Sequence, residues 1–221
     1  TEHAPNGTFS GSVAGSGGLI KEGSGTQTLT GTNTFTGGTT INAGTLAIGA
    51  GGSLAATGAV NLANAGTAFD ISGGGAQAIG SLAGVAGSAV ALGGSTLTLN
   101  GVGNSTFAGD ITGTGGLVKN GAGIQTLSGN NTFSGGVALN AGGLALGNNN
   151  ALGTGALTVG GNASLDGTSA LTLANSVQLA GGTLTLAGSN ALTLNGPISG
   201  AGGLLKDGAA TVTLRGASSY T

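Results

Sequence analysis

Few side chains in this sequence could carry out acid–base or metal chemistry. Of its 221 residues, four are Lys or Arg, six are Asp or Glu and one is His. β-Helical enzymes that cleave polysaccharides need clustered carboxylates, together with a basic partner. Here the carboxylates are scattered, at Glu2, Glu22, Asp70, Asp110, Asp166 and Asp207. We therefore predict no catalytic residues and no enzymatic activity.

The remaining ionisable residues do not form a binding site either. His3 is the only histidine, and with no second ligand nearby it predicts no metal site. The basic residues Lys21, Lys119, Lys206 and Arg215 are too widely spaced to neutralise a run of phosphates, which excludes nucleic acid as a partner. No cofactor is implied, and no apolar stretch is long enough to span a membrane.

Three lysines share one place in a repeated pattern. Lys21, Lys119 and Lys206 each follow a Gly-Gly-Leu-x sequence. They could form a basic ladder for an acidic glycan, or they could be solvated strand-edge residues that discourage edge-to-edge pairing. Because the copies are far apart in the chain, the sequence favours the solvated alternative.

The pattern itself is a long internal repeat. Residues 15–49 return at residues 113–147 with 22 of 35 positions identical, and a truncated third copy spans residues 202–221. Self-similarity of this kind indicates a repeat architecture. We predict one domain over residues 1–221, and we interpret the chain as a fragment of something longer.

Short apolar pairs at i and i+2 indicate β-strands throughout the chain. Examples are Leu46/Ile48, Val60/Leu62, Phe69/Ile71, Val90/Leu92 and Leu97/Leu99. Every third strand recurs after about 20 residues, a spacing typical of a three-sided β-solenoid. The predicted register runs from Leu144 to Leu165, Leu184 and Leu204.

These features predict an all-β fold, a parallel β-helix of roughly eleven coils that forms a rod on the order of 50 Å long. Gly and Asn are expected at the corners, where φ > 0 is needed, with Asn33/Asn131, Asn42/Asn140 and Asn100/Asn195 at matched places. An antiparallel β-sandwich is the alternative, but it does not explain the 20-residue register. A calcium β-roll needs GGxGxD repeats, and Gly73-Gly74-Gly75 has no following Asp.

Two further sets of residues recur within the repeat. Alternate threonines from Thr26 to Thr36 would share an outward face, but Ile124 and Ser128 interrupt this array in the second copy, which disfavours ice binding. Lateral association through such polar faces stays open. The aromatic residues at repeated places are expected to stack in the core rather than to bind sugars: Phe35, Phe133 and Tyr220 at one place, Phe9 and Phe107 at another.

The repeat resembles the autotransporter-associated β-strand repeat of type V secreted passenger domains. Gly17-Gly18-Leu19, Lys21, Asn33-Thr34-Phe35 and Asn42-Ala43-Gly44 carry the resemblance, and residues 115–147 carry it again. The third copy departs from the pattern, with Ala209-Ala210 in place of the Gly-x-Gly spacing and Tyr220 in place of Phe.

The resemblance implies a right-handed parallel β-helix outside the outer membrane of a Gram-negative bacterium. It implies a translocator β-barrel in the full-length chain as a partner, and it carries over no catalytic residues. The expected function is a structural stalk that supports secretion and surface display of an adhesin. The alternatives are a surface that itself binds a host ligand or another copy and, less favoured, a polysaccharide-active enzyme.

Overall fold

A computed structural model of the chain describes residues 6–220. Within this range the chain forms 27 short β-strands and no helix. Every strand pairing is parallel, and the paired strands are one coil apart in the sequence. The chain is therefore a parallel β-solenoid of about eleven turns, as the sequence predicts.

The strands of the first half are β1 (Gly7–Phe9), β2 (Leu19–Lys21), β3 (Thr26–Leu29), β4 (Thr39–Ile41), β5 (Thr45–Ile48), β6 (Val60–Leu62), β7 (Ala68–Asp70), β8 (Gln77–Ile79), β9 (Leu82–Gly84), β10 (Ala89–Ala91), β11 (Leu97–Leu99), β12 (Ser105–Phe107) and β13 (Asp110–Thr112). Those of the second half are β14 (Leu117–Lys119), β15 (Ile124–Leu127), β16 (Val137–Leu139), β17 (Gly142–Leu146), β18 (Leu157–Val159), β19 (Ala163–Gly167), β20 (Leu171–Leu173), β21 (Val177–Leu179), β22 (Thr183–Leu186), β23 (Leu192–Leu194), β24 (Ile198–Gly200), β25 (Gly203–Lys206), β26 (Val212–Leu214) and β27 (Ser219–Tyr220).

The coil has three sides, which the chain visits in a fixed order. Side 1 carries β1, β3, β5, β7, β10 and β13, and later β20, β23 and β26. Side 2 carries β8, β11, β14, β16, β18, β21, β24 and β27. Side 3 carries β2, β4, β6, β9, β12, β15, β17, β19, β22 and β25. Where regular strands are missing, backbone hydrogen bonds still join the coils, as from Thr132 N to Ile111 O (2.9 Å) on side 1.

Spacing between paired residues varies only slightly along the rod. Leu117 pairs with Val137, 20 residues on, whereas Thr45 pairs with Ala68, 23 residues on. The predicted register is wrong at one step. Leu165 pairs with Leu186 rather than with Leu184, which lies beside Ala163. The shift is two residues, so the same side chains still face inward and the core pattern survives.

Inward-facing Leu, Ile, Val and Phe side chains form one continuous core. The apolar pairs that indicated strands are buried from Leu46 and Ile48 to Leu192 and Leu194, whereas in the last pair, Val212 and Leu214, Leu214 is exposed. The core opens only at the two ends of the described range, where Phe9 and Tyr220 are 43% and 39% exposed. Burial of apolar area is the main term that opposes the conformational entropy lost on folding.

Glycine pairs stack on one another where the chain turns onto a new side. Gly115 and Gly135 lie in adjacent coils, joined by a Gly135 N to Gly115 O hydrogen bond of 3.0 Å. A Cβ on Gly135 would stand 2.6 Å from the carbonyl carbon of Gly115. Gly136 has φ of +78°, a conformation that other residues rarely adopt. The repeat thus needs its glycine pairs because two backbones meet there.

The expectation that asparagines adopt φ > 0 at the corners is wrong. Within residues 6–220, only glycines have positive φ. Asn33 and Asn131 point into the core, and Asn42 and Asn140 lie on the surface with ordinary backbone angles. The asparagines recur because of what their carboxamides bind, as described below.

We predict that Gly135→Ala destabilises the rod by about 1–3 kcal/mol, because the added methyl group overlaps the backbone of the neighbouring coil. The matched control is Gly94→Ala, where the nearest atom to a new Cβ is Thr114 Oγ1 at 3.7 Å. That variant should be neutral or up to about 1 kcal/mol more stable, since alanine restricts the unfolded chain. Urea denaturation followed by circular dichroism measures both, and equal effects would refute the steric explanation.

Candidate functional site

The repeat lysines are not solvated strand-edge residues, so that prediction is wrong for two of the three. Lys21 and Lys119 are only 8% and 3% exposed. Lys119 pairs with Leu99 in the preceding coil and with Leu139 in the following one, so it occupies a core position. Only Lys206, in the last complete coil, is exposed. The signal was in the sequence: each lysine lies two residues after an inward-facing apolar residue.

The lysine ammonium groups bind backbone carbonyls at the adjacent turn. Lys21 Nζ donates to Glu22 O (2.9 Å), Gly23 O (2.6 Å) and, in the next coil, Ala43 O (2.9 Å). Lys119 Nζ donates to Gly121 O, the equivalent of Gly23 O. Lys206 Nζ makes the same contacts within its turn, to Asp207 O and Gly208 O. Each lysine therefore satisfies turn carbonyls from inside the coil.

Burial perturbs both inward lysines. It lowers the pKa of Lys119 from its ordinary value of 10.5, because removing an ammonium group from water penalises the charged form. It also lowers the pKa of Lys21, and the nearby Glu22 carboxylate partly opposes this shift. In the folded state these lysines therefore bind protons less tightly than in the unfolded chain.

The buried asparagines of the first two repeat copies, Asn33 and Asn131, each join three successive coils. Asn131, 2% exposed, accepts from Ile111 N through Oδ1 (2.7 Å) and donates from Nδ2 to Ala151 O (2.7 Å). Ile111 and Ala151 are each 20 residues away, one coil before and one coil after. Asn33 makes the same pair of bonds to Val13 N and Ser53 O, both at 3.0 Å. Each carboxamide thus replaces a backbone ladder bond where the strand is interrupted.

Buried glutamines add to this interior network, and the sequence analysis missed them. Gln125 Nε2 donates to Thr126 O (3.1 Å) and reaches back two coils to Leu82 O (2.9 Å). Gln77 lies outside the repeat copies and donates to Gly52 O (3.1 Å) and Gly74 O (3.2 Å). Its Oε1 has no partner among the described residues. The sequence indicated this orientation, because Gln125 lies two residues before the inward-facing Leu127 and alternate residues of a strand share a face.

The repeated aromatic residues belong to the core, as expected, except at the ends of the described range. Phe35, Phe107 and Phe133 are buried, whereas Phe9 and Tyr220 are partly exposed. In the third copy Ser218 takes the place of the inward asparagine, and its Oγ donates to Gly216 O at 3.1 Å. Asn33 makes the equivalent bond to Gly31 O at 2.8 Å.

The first two copies of the repeat lie on different sides of the rod. The lysine-bearing strand of the first copy, β2, is on side 3, and that of the second copy, β14, is on side 2. In the third copy the equivalent strand, β25, is back on side 3. Outward-facing residues of the first two copies therefore cannot form one stripe along the rod. What the copies share is their interior.

The structure does not bring together the carboxylates that lie within residues 6–220. Asp70 and Asp110 both lie on side 1, but strand β10 separates their strands. Each accepts a backbone hydrogen bond of 2.8 Å, Asp70 from Ser72 N in its own turn and Asp110 from Asn130 N in the next coil. Asp166 accepts from Ser189 in the next coil. Glu2 and His3 lie outside the described residues.

The described residues also show no grouping typical of a metal site or a membrane segment. Among residues 6–220, no three His, Asp or Glu side chains come together as metal ligands could. In the same range, no helix has the length and apolar composition needed to cross a membrane.

The threonine series faces outward but does not form one flat array. Thr32, Thr34 and Thr36 are exposed, and the residues between them, Asn33 and Phe35, are buried. Strand β3 ends at Leu29, so the later threonines lie beyond it on the way to side 2.

Two surface concavities lie on the described part of the rod. One, of about 450 Å³, lies at the open N-terminal end of the core beside Phe9, Val13 and Ile20. The other, of about 320 Å³, is a shallow groove on side 2 beside Val118, Ala138 and Thr158, and none of its lining residues is charged. The first is lined mainly by apolar residues but also by Lys21, Glu22, Thr26 and Gln27, whereas the second has no charged group that could orient a small ligand.

Comparison with known proteins adds one finding. The model of a family described as the passenger-associated-transport repeat matches residues 19–48, 117–146 and 204–221. The first two stretches contain the buried lysines Lys21 and Lys119, the buried asparagines Asn33 and Asn131 and the buried phenylalanines Phe35 and Phe133, and the second also contains Gln125. No curated protein and no solved structure matches the chain.

We predict that Asn131→Ala destabilises the protein by about 2–4 kcal/mol, because it leaves both Ile111 N and Ala151 O buried without a partner. Asn140→Ala is the matched control: the residue is exposed, and its carboxamide binds only Asn120 Oδ1 (2.8 Å). That variant should change the free energy of unfolding by about 0.5 kcal/mol or less. Chemical denaturation compares them, and similar losses at both sites would contradict the role given to Asn131.

Stability should also depend on pH through the buried lysines. Between the lowered pKa of Lys119 and 10.5, the unfolded chain binds more protons than the folded chain, so the free energy of unfolding rises with pH across that window. Conversely, this contribution to the free energy of unfolding is lost as the pH is lowered through the folded-state pKa of Lys119. Lys119→Met should reduce the rise, because the titrating group is gone.

Denaturant titrations at a series of pH values from neutral to 10.5 measure this effect. Lys206→Met is the control, since that lysine is exposed and should leave the rise unchanged. Parallel curves for the Lys119→Met variant and the unchanged protein would refute the assignment.

Proposed function

We propose that this chain is the stalk of an autotransporter passenger, because it is a parallel β-solenoid that contains three passenger-associated-transport repeats. We further propose that the repeats hold successive coils together during secretion and so support display of an adhesin. About eleven coils make a rod on the order of 50 Å long. The family implies a secreted or surface-exposed protein. We propose a location outside the bacterial outer membrane and a translocator in the full-length chain as the partner.

The observation that carries this proposal is the direction of the repeat's polar side chains. Lys21, Asn33 and Asn131 point into the core and bind the backbone of neighbouring coils. The first two copies lie on different sides of the rod, so a surface pattern is not preserved while the interior network is. A repeat selected for an external ligand would keep its outward residues aligned.

Such a network suits a chain that folds coil by coil as it leaves a membrane. In solenoids each coil is stabilised mainly by its neighbours, so folding can propagate along the rod. Asn131 is satisfied only after the coil that contains Ala151 has been added, and the same holds for Asn33 and Ser53. Each repeat therefore favours the addition of the next coil. This bias would retain the exported part of the chain outside the membrane.

We also propose that the chain has no enzymatic activity. The described carboxylates are dispersed, and several of them bind backbone N–H groups of turns rather than face a common cleft. General acid–base catalysis of glycoside cleavage needs two carboxyl groups across the scissile bond.

A second candidate function is direct adhesion to a host ligand or another copy. The specific observation that favours it is the uncharged surface of side 2, where Thr98, Val118 and Ala138 face outward on successive coils. Sheet faces without repelling charges can pack against one another.

Two deletions of one coil each test the proposed function in the full-length secreted protein. Deleting residues 117–136 removes Lys119, Gln125, Asn131 and Phe133 but preserves the register, because Leu117 pairs with Val137. Deleting residues 157–176 also removes one coil, since Leu157 pairs with Val177, but removes no residue of the three matched stretches. We expect the first deletion to lower the amount of passenger at the cell surface severalfold and the second to leave it nearly unchanged.

Surface immunolabelling and protease accessibility measure the exported fraction. Equal export of the two deletion variants would contradict a secretion role for the repeat while leaving the stalk itself intact. Cell aggregation, recorded for the same variants, bears on the second candidate. If aggregation falls in proportion to surface exposure, the rod only displays the adhesin, whereas a loss without reduced exposure favours direct adhesion.

A further inference from the structure

Three exposed asparagines of the described chain stand in the acceptor pattern for N-linked sugars. The pattern Asn-x-Ser/Thr, with x any residue except proline, occurs at Asn104-Ser105-Thr106, Asn130-Asn131-Thr132 and Asn162-Ala163-Ser164. It also occurs at Asn6-Gly7-Thr8, next to the residues that the structure does not describe. Because such tripeptides also occur without carrying a sugar, the surroundings of each asparagine must also suit attachment.

In all three, the carboxamide oxygen is held by the next coil. Asn104 Oδ1 accepts from Ile124 N (2.9 Å), and Asn162 Oδ1 accepts from Thr183 N (2.8 Å). Asn130 Oδ1 accepts from Asn150 Nδ2 (2.8 Å). The three residues are exposed, and within residues 6–220 their Nδ2 atoms make no hydrogen bond. The nitrogen that would carry a sugar is thus the free atom of each group.

Asn61, Asn100, Asn148, Asn149 and Asn195 also make no Nδ2 hydrogen bond within residues 6–220, but none of them has a Ser or Thr two residues on. Nine further asparagines donate through Nδ2 to a protein acceptor, and none of the nine precedes an x-Ser/Thr pair: Asn33, Asn42, Asn64, Asn120, Asn131, Asn140, Asn150, Asn175 and Asn190. A sugar on any of these nitrogens would remove a donor from an existing hydrogen bond. A sugar on Asn104, Asn130 or Asn162 would remove none, because the amide oxygen still accepts.

Strand alternation also places the hydroxyl of each pattern beside its asparagine. Residues i and i+2 of an extended chain share a face. Thr106 and Thr132 are exposed and Ser164 is half-buried, whereas the middle residues Asn131 and Ala163 are buried. Asparagine and hydroxyl therefore face outward together while the middle residue points into the coil.

We propose that Asn104, Asn130 and Asn162 are attachment sites for N-linked sugars, each accepting a glycosyl group on Nδ2. A separate glycosyltransferase would bind a donor whose sugar C1 carries a diphosphate leaving group. The Nδ2–C1 bond forms as the C1–O bond breaks. The diphosphate leaves with the electron pair, and Nδ2 loses one proton to a base of the transferase. The proposal is independent of the stalk function, since an unmodified rod would still be a stalk.

Glycopeptide mass spectrometry of the full-length protein recovered from its own cells tests the assignment. We expect sugar on these three asparagines and on none of the nine that donate through Nδ2. Thr106→Ala should abolish the sugar at Asn104 alone, and Thr106→Ser should retain it, because either hydroxyl completes the pattern. Both variants keep Asn104 and its hydrogen bond to Ile124 N, so a folding defect does not explain a difference between them.

A second arm identifies the donor. The same chain is retained in the cytoplasm of the same cells, and its sugar-bearing residues are again identified by glycopeptide mass spectrometry. Sugar in both locations indicates a nucleotide-linked donor, and sugar on the exported protein alone indicates a lipid-linked one. Either result supports the proposal. Unmodified Asn104, Asn130 and Asn162 in both arms would overturn it, as would sugar found only on serine or threonine oxygens.

Discussion

Backbone hydrogen bonds between one coil and the next run along all three sides of this rod. They require that equivalent residues recur every 19 to 23 positions, as between Thr26 and Thr45 at the short end and Thr45 and Ala68 at the long end. The other features of the chain serve this stacking. Inward apolar side chains exclude water from the ladders, and stacked glycines let the corner backbones approach. Buried carboxamides continue the ladder where regular strands stop.

Buried polar groups are the unusual part of this interior. An ammonium group in an apolar column is destabilising unless its donors are satisfied, and Lys21 meets that condition with three carbonyl oxygens from two coils. Such groups tolerate few alternative arrangements, because a shift of register would leave a charge or an amide in the core without a hydrogen-bond partner. We infer that the repeat specifies which coils stack on which, while the apolar residues supply most of the stabilisation.

The exterior follows different rules from the interior. It is nearly free of charge, since the whole chain carries only ten Asp, Glu, Lys and Arg residues. Asparagine ladders such as Asn100, Asn120 and Asn140 run along a corner and bind one another. Against this background, Asn104, Asn130 and Asn162 combine a carboxamide nitrogen that makes no hydrogen bond with a hydroxyl residue two positions on. Such exposed groups are places where something else can be attached.

The sequence by itself determined the parallel solenoid, its coil length and its apolar core, because strand alternation and 20-residue recurrence are local properties that can be read along the chain. It also revealed the repeat, and the glycine pairs and aromatic residues within it. Only the tertiary structure decided what the inward polar residues bind. Lysine and asparagine are usually found at surfaces, so their residue types predicted solvent for Lys119 and a corner for Asn131. Asn131 binds an N–H and a carbonyl group that are 20 residues away and come within reach only when neighbouring coils stack. Lys119 binds the carbonyl of Gly121 in its own turn, from a core position that the neighbouring coils enclose. The sides occupied by the successive copies were likewise undetermined, because small variations in coil length accumulate along the rod.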